Sequence, residues 1–291
     1  MKKILTIVGP TASGKTAFAI ELAKKINGEI ISLDSRQIFQ YMSIGTAQPD
    51  EDEMGGVKHH LIGCLHPSQN ISSGKYSRMV KKKVYQVEKS NKIPIICGGS
   101  GLYYRTIKKG IFSESSTNAE IRKKIESQYL DNSQKLYEKL QSVDLEYSKI
   151  VHINNRQRLV RALEIYEITG NTPSEHFRKQ KYNNSDNLNL FTVFLKWSRE
   201  MINDRIEKRT NFMFELGWIK EVKNLLKSQK QIGLKFPPIN SIGYKHIQSY
   251  LNDEITKDEM VDKIVISTRQ LARRQEKWFK KECIDLYIEM D

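Results

Sequence analysis

Cysteine is scarce in this chain: three in 291 residues, Cys64, Cys97 and Cys283, with no CxxC spacing. That excludes a disulfide framework and a cysteine-rich zinc site, and it fits a reducing compartment. Long apolar runs are missing as well; no stretch approaches the roughly 18 residues a membrane span requires. Lys2 and Lys3 precede a short apolar run, but Gly9, Pro10 and then Lys15 follow instead of a small-residue cleavage site, so the N-terminus does not read as a signal peptide. The expected setting is the cytoplasm, with no membrane partner. Acidic residues are the third deficit. Against 48 Lys and Arg stand 34 Asp and Glu, a net charge of +14, which speaks to partners rather than to fold.

The basic excess is uneven. Residues 1–113 hold 17 basic and 8 acidic side chains, 114–189 hold 12 and 11, and 190–291 hold 19 and 15. Between Lys75 and Lys109 ten cations accompany a single acid, Glu88. A polyanion such as RNA is one reading of that excess, and a solvated lysine-rich surface is the other.

What the chain does have is strand–helix alternation. "KKILTIVG" has the pattern of a buried strand and leads through a glycine loop into a helix ending near Ile26. "GEIISLDSRQIFQ" gives a second strand ending at Asp34, "HHLIGCLHP" a short strand or loop, Lys75–Lys92 a basic helix, and "IPIICGGSGLYY" a buried strand breaking into a glycine turn. This alternation predicts a parallel, doubly wound α/β sheet. From Glu114 to about Asp186 the texture is polar and helical, and the helix in "NRQRLVRALEIYEITGNTP" stops at Gly170. "KYNNSDNLNL" reads as a linker, "LFTVFLKW" as a return to the sheet, and the rest as helices, among them Asp204–Lys227 and Asp258–Lys281. The predicted organisation is a core formed by 1–113 and 190–291, interrupted by a helical insertion over 114–189.

Gly9, Pro10, Thr11, Ala12, Ser13, Gly14, Lys15 and Thr16 form a GxxxxGKT loop between a strand and a helix. Backbone N–H groups of such a loop point at an anion, the helix N-terminus adds positive character, Lys15 a full charge, and Thr16 a hydroxyl for Mg²⁺. Asp34 ends the neighbouring strand, where ligands of doubly wound sheets lie. It is a candidate metal or proton acceptor, with a helix N-cap as the plainer alternative. The strand "IPIICGG" closes on glycines and Ser100 where an ATPase of this type carries an acid, which favours close approach of a second substrate over ATP hydrolysis.

Seven blocks in order, "GPTASGKT", "ISLDSRQIFQYMSIGTAQP", "HHLIGCLHP", "GGSGLYY", "NNRQRLVRALEIYEITG", "SIGYKHI" and "TRQLARRQEKWF", resemble the tRNA dimethylallyltransferase (tRNA isopentenyltransferase) family nearly end to end. The resemblance implies a P-loop NTPase-like fold. It implies transfer of a dimethylallyl group from dimethylallyl diphosphate to N6 of the adenine beside the anticodon, in tRNAs reading codons that begin with U. The P-loop would then hold a prenyl diphosphate, with Lys15, Thr16 and Mg²⁺ at the leaving group and Asp34 as base. Arg205 and Arg209, one helical turn apart, are a possible second diphosphate clamp. Family correspondence puts RNA contacts at Asp34, Ser35, Arg36, Gln37, Ser100 (threonine is usual there), Arg122, and the run Gln157, Arg158, Leu159, Val160 and Arg161. The implied partners are the tRNA anticodon stem-loop and dimethylallyl diphosphate, with the enzyme acting as a monomer. Prenylation of free adenine nucleotides, small-molecule phosphorylation and non-catalytic RNA binding are the competing readings. Arg269, Arg273 and Lys277 line one helix face, for an RNA backbone or for solvent. Tyr103 and Tyr104 either line a prenyl pocket or pack.

Overall fold

The computed structural model describes residues 3–110, 118–182 and 187–290, which form two compact units, 1–108 with 188–291, and 109–187. The first unit carries strands β1 (Ile4–Val8), β2 (Gly28–Ser32), β3 (His59–His60), β4 (Ile93–Gly98), β5 (Leu190–Lys196) and β6 (Leu286–Glu289). They pair in the order β3-β2-β4-β1-β5-β6, and every pairing is parallel. Helices α1 (Lys15–Ile26), α2 (Glu51–Met54), α3 (Ser73–Lys89) and α4 (Gly101–Lys109) follow the first four strands in alternation. After β5 come α5 (Arg199–Glu215), α6 (Trp218–Ile232), a 3-10 turn at Pro237–Asn240, α7 (Tyr244–Leu251) and α8 (Lys257–Phe279).

Successive strand residues face opposite sides of the sheet, and both sides are covered. Ile7, Ile30, Ile95, Val193 and Leu195 pack with Ala19, Ile20 and Ala23 of α1. Val8, Ile31, Ile96 and Phe194 pack on the other side with Tyr76, Val80 and Val84 of α3. Burial on both faces explains why the central strands are apolar throughout instead of alternating. Because all strands run the same way, the P-loop after β1, Asp34 after β2, Gly98–Gly101 after β4 and Trp197 after β5 gather at one edge of the sheet, its carboxyl edge.

Two expectations for the C-terminal part are corrected. The helix predicted over Asp204–Lys227 is two helices, broken where Gly217 takes φ 93°, a left-handed conformation open to glycine. The break turns Trp218 into the core, against Phe214 and Tyr244. The chain also ends in a strand and not in helix: β6 pairs with β5 from Val193↔Leu286 to Lys196↔Glu289. It is only four residues long and largely exposed, too short a run to stand out after the long α8.

The second unit is helical, with Ala119–Asp131, Ser133–Val143, Leu145–Ser148, Arg156–Thr169 and Pro173–Tyr182. Ile125, Leu136, Leu140, Val151, Leu159, Val160 and Leu163 form its own core. Asp144 is a buried hub that accepts from Tyr147 N (2.8 Å), Ser174 N (2.8 Å) and Ser174 Oγ (2.7 Å). The predicted boundary at 114 and part of the predicted linker over 181–190 lie outside the described residues.

Candidate active site

The phosphate loop begins where β1 runs out. At Gly9 an added Cβ would sit 3.0 Å from the Leu195 carbonyl oxygen and from Ser13 Oγ, so a larger residue would push the loop off the sheet. Ala12 (φ 64°) and Gly14 (φ 78°) are left-handed and close the turn. No side chain caps α1 at Gly14, which leaves its first N–H groups for an anion. Lys15 Nζ donates to the Pro10 carbonyl at 2.6 Å and lies 3.4 Å from Ser13 Oγ. Removal from water pushes the Lys15 ammonium down to about 8, with Arg209 adding to the shift and Cys97 and Asp34 opposing it. The Thr16 hydroxyl makes no hydrogen bond to the described residues.

Four side chains grip this loop from outside. Trp197 Nε1 donates to Ser13 O (2.9 Å) and Arg205 Nε to Ala12 O (2.7 Å), the Arg205 guanidinium lying 4.5 Å over the Trp197 ring. Arg209 donates to Thr11 Oγ1 at 2.7 Å. Gln275 accepts from Thr11 N at 2.8 Å and donates to Gly99 O at 3.0 Å, tying the P-loop to the turn after β4. Burial holds the Arg209 guanidinium down at about 10, against the pull of Asp34.

Asp34 sits beyond the end of β2. Its Oδ1 accepts from Arg36 N (2.7 Å) and Gln37 N (3.3 Å), closing an Asx turn; no helix follows, so the N-cap alternative falls away. The other oxygen, Oδ2, has no donor among the described residues. The strand end is fixed from below by Tyr76, whose hydroxyl donates to Ser32 O at 2.6 Å. From the side, Ser100 Oγ accepts from Ser35 N at 3.0 Å. Burial and the neighbouring Asp34 charge raise the Tyr76 hydroxyl well above its ordinary value, so it stays a donor.

A cleft of about 800 Å³ opens here, lined by Thr11, Asp34, Ser35, Arg36, Ser100 and Arg209. Its far wall is apolar, built from Met213, Trp218, Ile242, Ile264, Leu271 and Trp278, with the cations Lys245 and Arg274 among them. Arg209, a buried cation, and Asp34, a carboxylate with one open oxygen, line this cavity together, and both lie within electrostatic range of the P-loop lysine.

Several predicted site residues stand differently from expectation. Gln37 is turned inward: Oε1 accepts from Ser32 Oγ at 3.2 Å and Nε2 donates to Thr46 O (3.3 Å) and Ala47 O (2.7 Å). Its amide braces the adjacent loop and does not line the cavity. The glycines at the end of β4 also make room for protein, although Gly99 and Gly101 line the cavity as well. An added Cβ at Gly98 would meet the Leu33 carbonyl oxygen at 2.3 Å, at Gly99 the Gln275 amide at 2.4 Å, and at Gly101 the Trp278 ring at 2.4 Å. Tyr104 is core, its hydroxyl bonded to Thr192 Oγ1 at 2.8 Å, whereas Tyr103 stacks on Tyr76 and shows an edge to the cavity.

In the helical unit, Leu159 and Val160 are buried in the core, so their side chains are not available to RNA. Arg161 Nη1 lies 2.8 Å from the buried Glu164 carboxylate and is held to its own helix, contrary to the free face expected for it. Gln157 and Arg158 remain exposed, and Arg122 is half-buried beside Glu126 at 3.4 Å.

The part of α8 in the site was not foreseen from the sequence. Thr268, Leu271, Arg274, Gln275 and Trp278 line the cavity at helical spacing, while Arg269 is paired with Glu207 at 2.8 Å. The signal was present in "TRQLARRQEKWF" as polar and apolar residues recurring on the face opposite the basic stripe.

Residues 37–282 match the family model described as IPP transferase. The tRNA dimethylallyltransferase of Acetivibrio thermocellus is 38% identical over 286 residues, spanning 97% of this chain and 90% of its own. That of Thermoanaerobacter sp. is 40% identical over 283 residues, spanning 96% and 89%. Among solved structures, the full-length tRNA isopentenylpyrophosphate transferase from Bacillus halodurans superposes with TM-score 0.70 at 31% identity, over 99% of this chain and 90% of that one. A eukaryotic dimethylallyltransferase captured acting on tRNA gives TM-score 0.84 at 28% identity, over 99% and 74%.

Proposed function

The chain belongs to the IPP transferase family, and on that premise we propose that it moves a dimethylallyl group from dimethylallyl diphosphate to tRNA. The acceptor is the exocyclic N6 of the adenine beside the anticodon, in tRNAs reading codons that begin with U. The observation that carries this reading is the open oxygen of Asp34 in one cavity with Thr11 of the P-loop and the buried cation Arg209.

An adenine amine is a weak nucleophile because its lone pair is delocalised into the ring. As N6 bonds to the allylic carbon, the carbon–oxygen bond breaks and the diphosphate departs with the electron pair. The N6 proton goes to Asp34 Oδ2, the free oxygen, while Oδ1 stays pinned by two amides. Charge growing on the leaving group meets the P-loop amides, Lys15 and Arg209; Arg205 holds the loop in shape from outside. Thr16, whose hydroxyl has no partner among the described residues, would hold Mg²⁺ together with diphosphate oxygens, a ligand set this ion accepts. When bound, the ion supplies further positive charge at the diphosphate. The target base must leave its stack to reach Asp34. Ser35 and Arg36 flank it, and Met213, Ile242 and Leu271 offer an apolar wall for the prenyl tail. Gln157, Arg158 and Arg122 are offered to the RNA by the helical unit.

The test incubates the protein with labelled dimethylallyl diphosphate and either undermodified tRNA or AMP. Label on tRNA is the expected result; label on AMP alone would point to a free-nucleotide prenyltransferase, and γ-phosphate transfer from ATP to a kinase. Asp34→Asn is expected to keep tRNA binding but slow single-turnover transfer by roughly 10²–10⁴. A near-normal rate in that variant would remove Asp34 from the mechanism.

A further inference from the structure

Helix α3 carries an arrangement that neither the cavity nor the fold requires. Lys75, Arg78, Lys82, Tyr85 and Lys89 are all exposed and recur at steps of three and four, so they share one narrow face of the helix. The opposite face holds the residues buried against the sheet, Tyr76, Val80, Val84 and Val87. The stripe contains no acid, and none of its cations has an ion-pair or hydrogen-bonding side-chain partner among the described residues. The helix's only carboxylate, Glu88, is on its flank.

On other helices several cations are matched one turn away: Lys24 with Glu21 (3.3 Å), Arg122 with Glu126 (3.4 Å), Lys208 with Asp204 (2.9 Å), Lys280 with Glu276 (2.8 Å). Lys220, Lys223, Lys227 and Lys230 of α6 also share an exposed face without ion-pair partners among the described residues, so what sets α3 apart is where its stripe begins. Like charges spaced three and four apart weaken a helix. On α3 that repulsion is left uncompensated along its whole length. The stripe also has a definite start: Asn70, Ile71 and Ser73, at the head of the helix, line the catalytic cavity. Seventeen helical residues from that point extend about 25 Å.

We propose that this face of α3 is a phosphate track, holding the RNA backbone of the stem that leads away from the everted base. It rests on the reading of the cavity as a tRNA site. Four ammonium and guanidinium groups along one helix face suit a polyanion, and the exposed Tyr85 ring among them suits a sugar or base at the stem edge. Contacts of this kind give no base specificity; they fix orientation and make binding salt-dependent.

The test uses the full-length protein with Lys75→Gln, Arg78→Gln, Lys82→Gln and Lys89→Gln combined. Binding is measured for whole undermodified tRNA and for a minimal anticodon loop with a truncated stem, across a salt series. The variant is expected to bind whole tRNA at least tenfold more weakly near 0.1 M salt. Its log–log salt slope should be shallower by roughly two to four, at about 0.7–0.9 for each phosphate no longer neutralised. Affinity for the truncated loop and the rate at saturating tRNA should be unchanged, which also reports that the variant is folded. An unaltered affinity and salt slope for whole tRNA would overturn the proposal, as would equal weakening on the truncated loop. If the unsubstituted protein transfers no label to tRNA at all, it is the function proposed above that fails, whereas normal transfer with an unmoved slope sinks the track alone.

Discussion

Lys15 shows how a single side chain links the site to pH. Its ammonium is withdrawn from water before any diphosphate arrives, which lowers it to about 8. A bound anion restores the partner the charge lacks and raises it again, so binding takes up a proton wherever free protein has lost one. The affinity for an unreactive dimethylallyl diphosphate analogue should therefore be constant below pH 8 and weaken above it, roughly tenfold between pH 7 and pH 9. Calorimetry in buffers of different ionisation enthalpy should register the proton uptake. Lys15→Met should bind weakly at every pH and lose the dependence; a persisting dependence would assign it to another group. The stability sign runs the other way. Between about 8 and the ordinary lysine value the unfolded chain holds more protons at this position than the folded one, so its contribution to stability rises with pH there.

At the scale of elements, the strand ends decide where the chemistry stands. Gly98 closes β4 against the main chain of Leu33, and a Cβ there would meet that carbonyl oxygen at 2.3 Å, an obstacle no side-chain rotation relieves. Gly98→Ala should part β2 from β4 at their carboxyl ends and move Asp34. Overpacking of this sort costs about 1–3 kcal/mol, to be read in denaturant melts, with a larger drop in transfer rate than in diphosphate affinity. A stability and a rate both matching the parent protein would show that Leu33 yields freely. The same region shows what was legible beforehand. The P-loop, Asp34 and the parallel sheet follow from short-range patterns: apolar runs, a glycine spacing, an acid at a strand end. The roles of Gln37, Gly99 and Gly101 were not, because each is defined by a partner outside its own motif: Gln275 touches Gly99 and Trp278 touches Gly101 from α8. The edge strand β6 went unseen because it is only four residues long and exposed on both faces, so no alternation of burial marks it.

Across the whole molecule, the cavity and the RNA contacts proposed for Arg122, Gln157 and Arg158 lie in units with separate cores. The P-loop, Asp34 and every residue lining the cavity belong to the α/β unit. Arg122, Gln157 and Arg158 belong to the helical one, whose core is its own. The sequence change near residue 114 made that division visible as a shift in texture. The helical unit's internal accounting was hidden, because Arg161 looks free on a helical wheel until the buried Glu164 beside it is known. If the cores are energetically independent, damage to one should spare the other's ligand. Leu163 is fully buried among Ile125, Leu140 and Leu159. Leu163→Ala removes that packing and should destabilise the helical unit by about 2–5 kcal/mol. Hydrogen exchange should then quicken over residues 119–169 while amides of β1, β4 and α1 keep their protection. Binding of the unreactive diphosphate analogue should be unchanged, and tRNA affinity should fall with the fraction of helical unit that is open. A parallel fall in diphosphate binding would mean that the two units fold as one, and that the P-loop depends on a helical core with which it shares no residue.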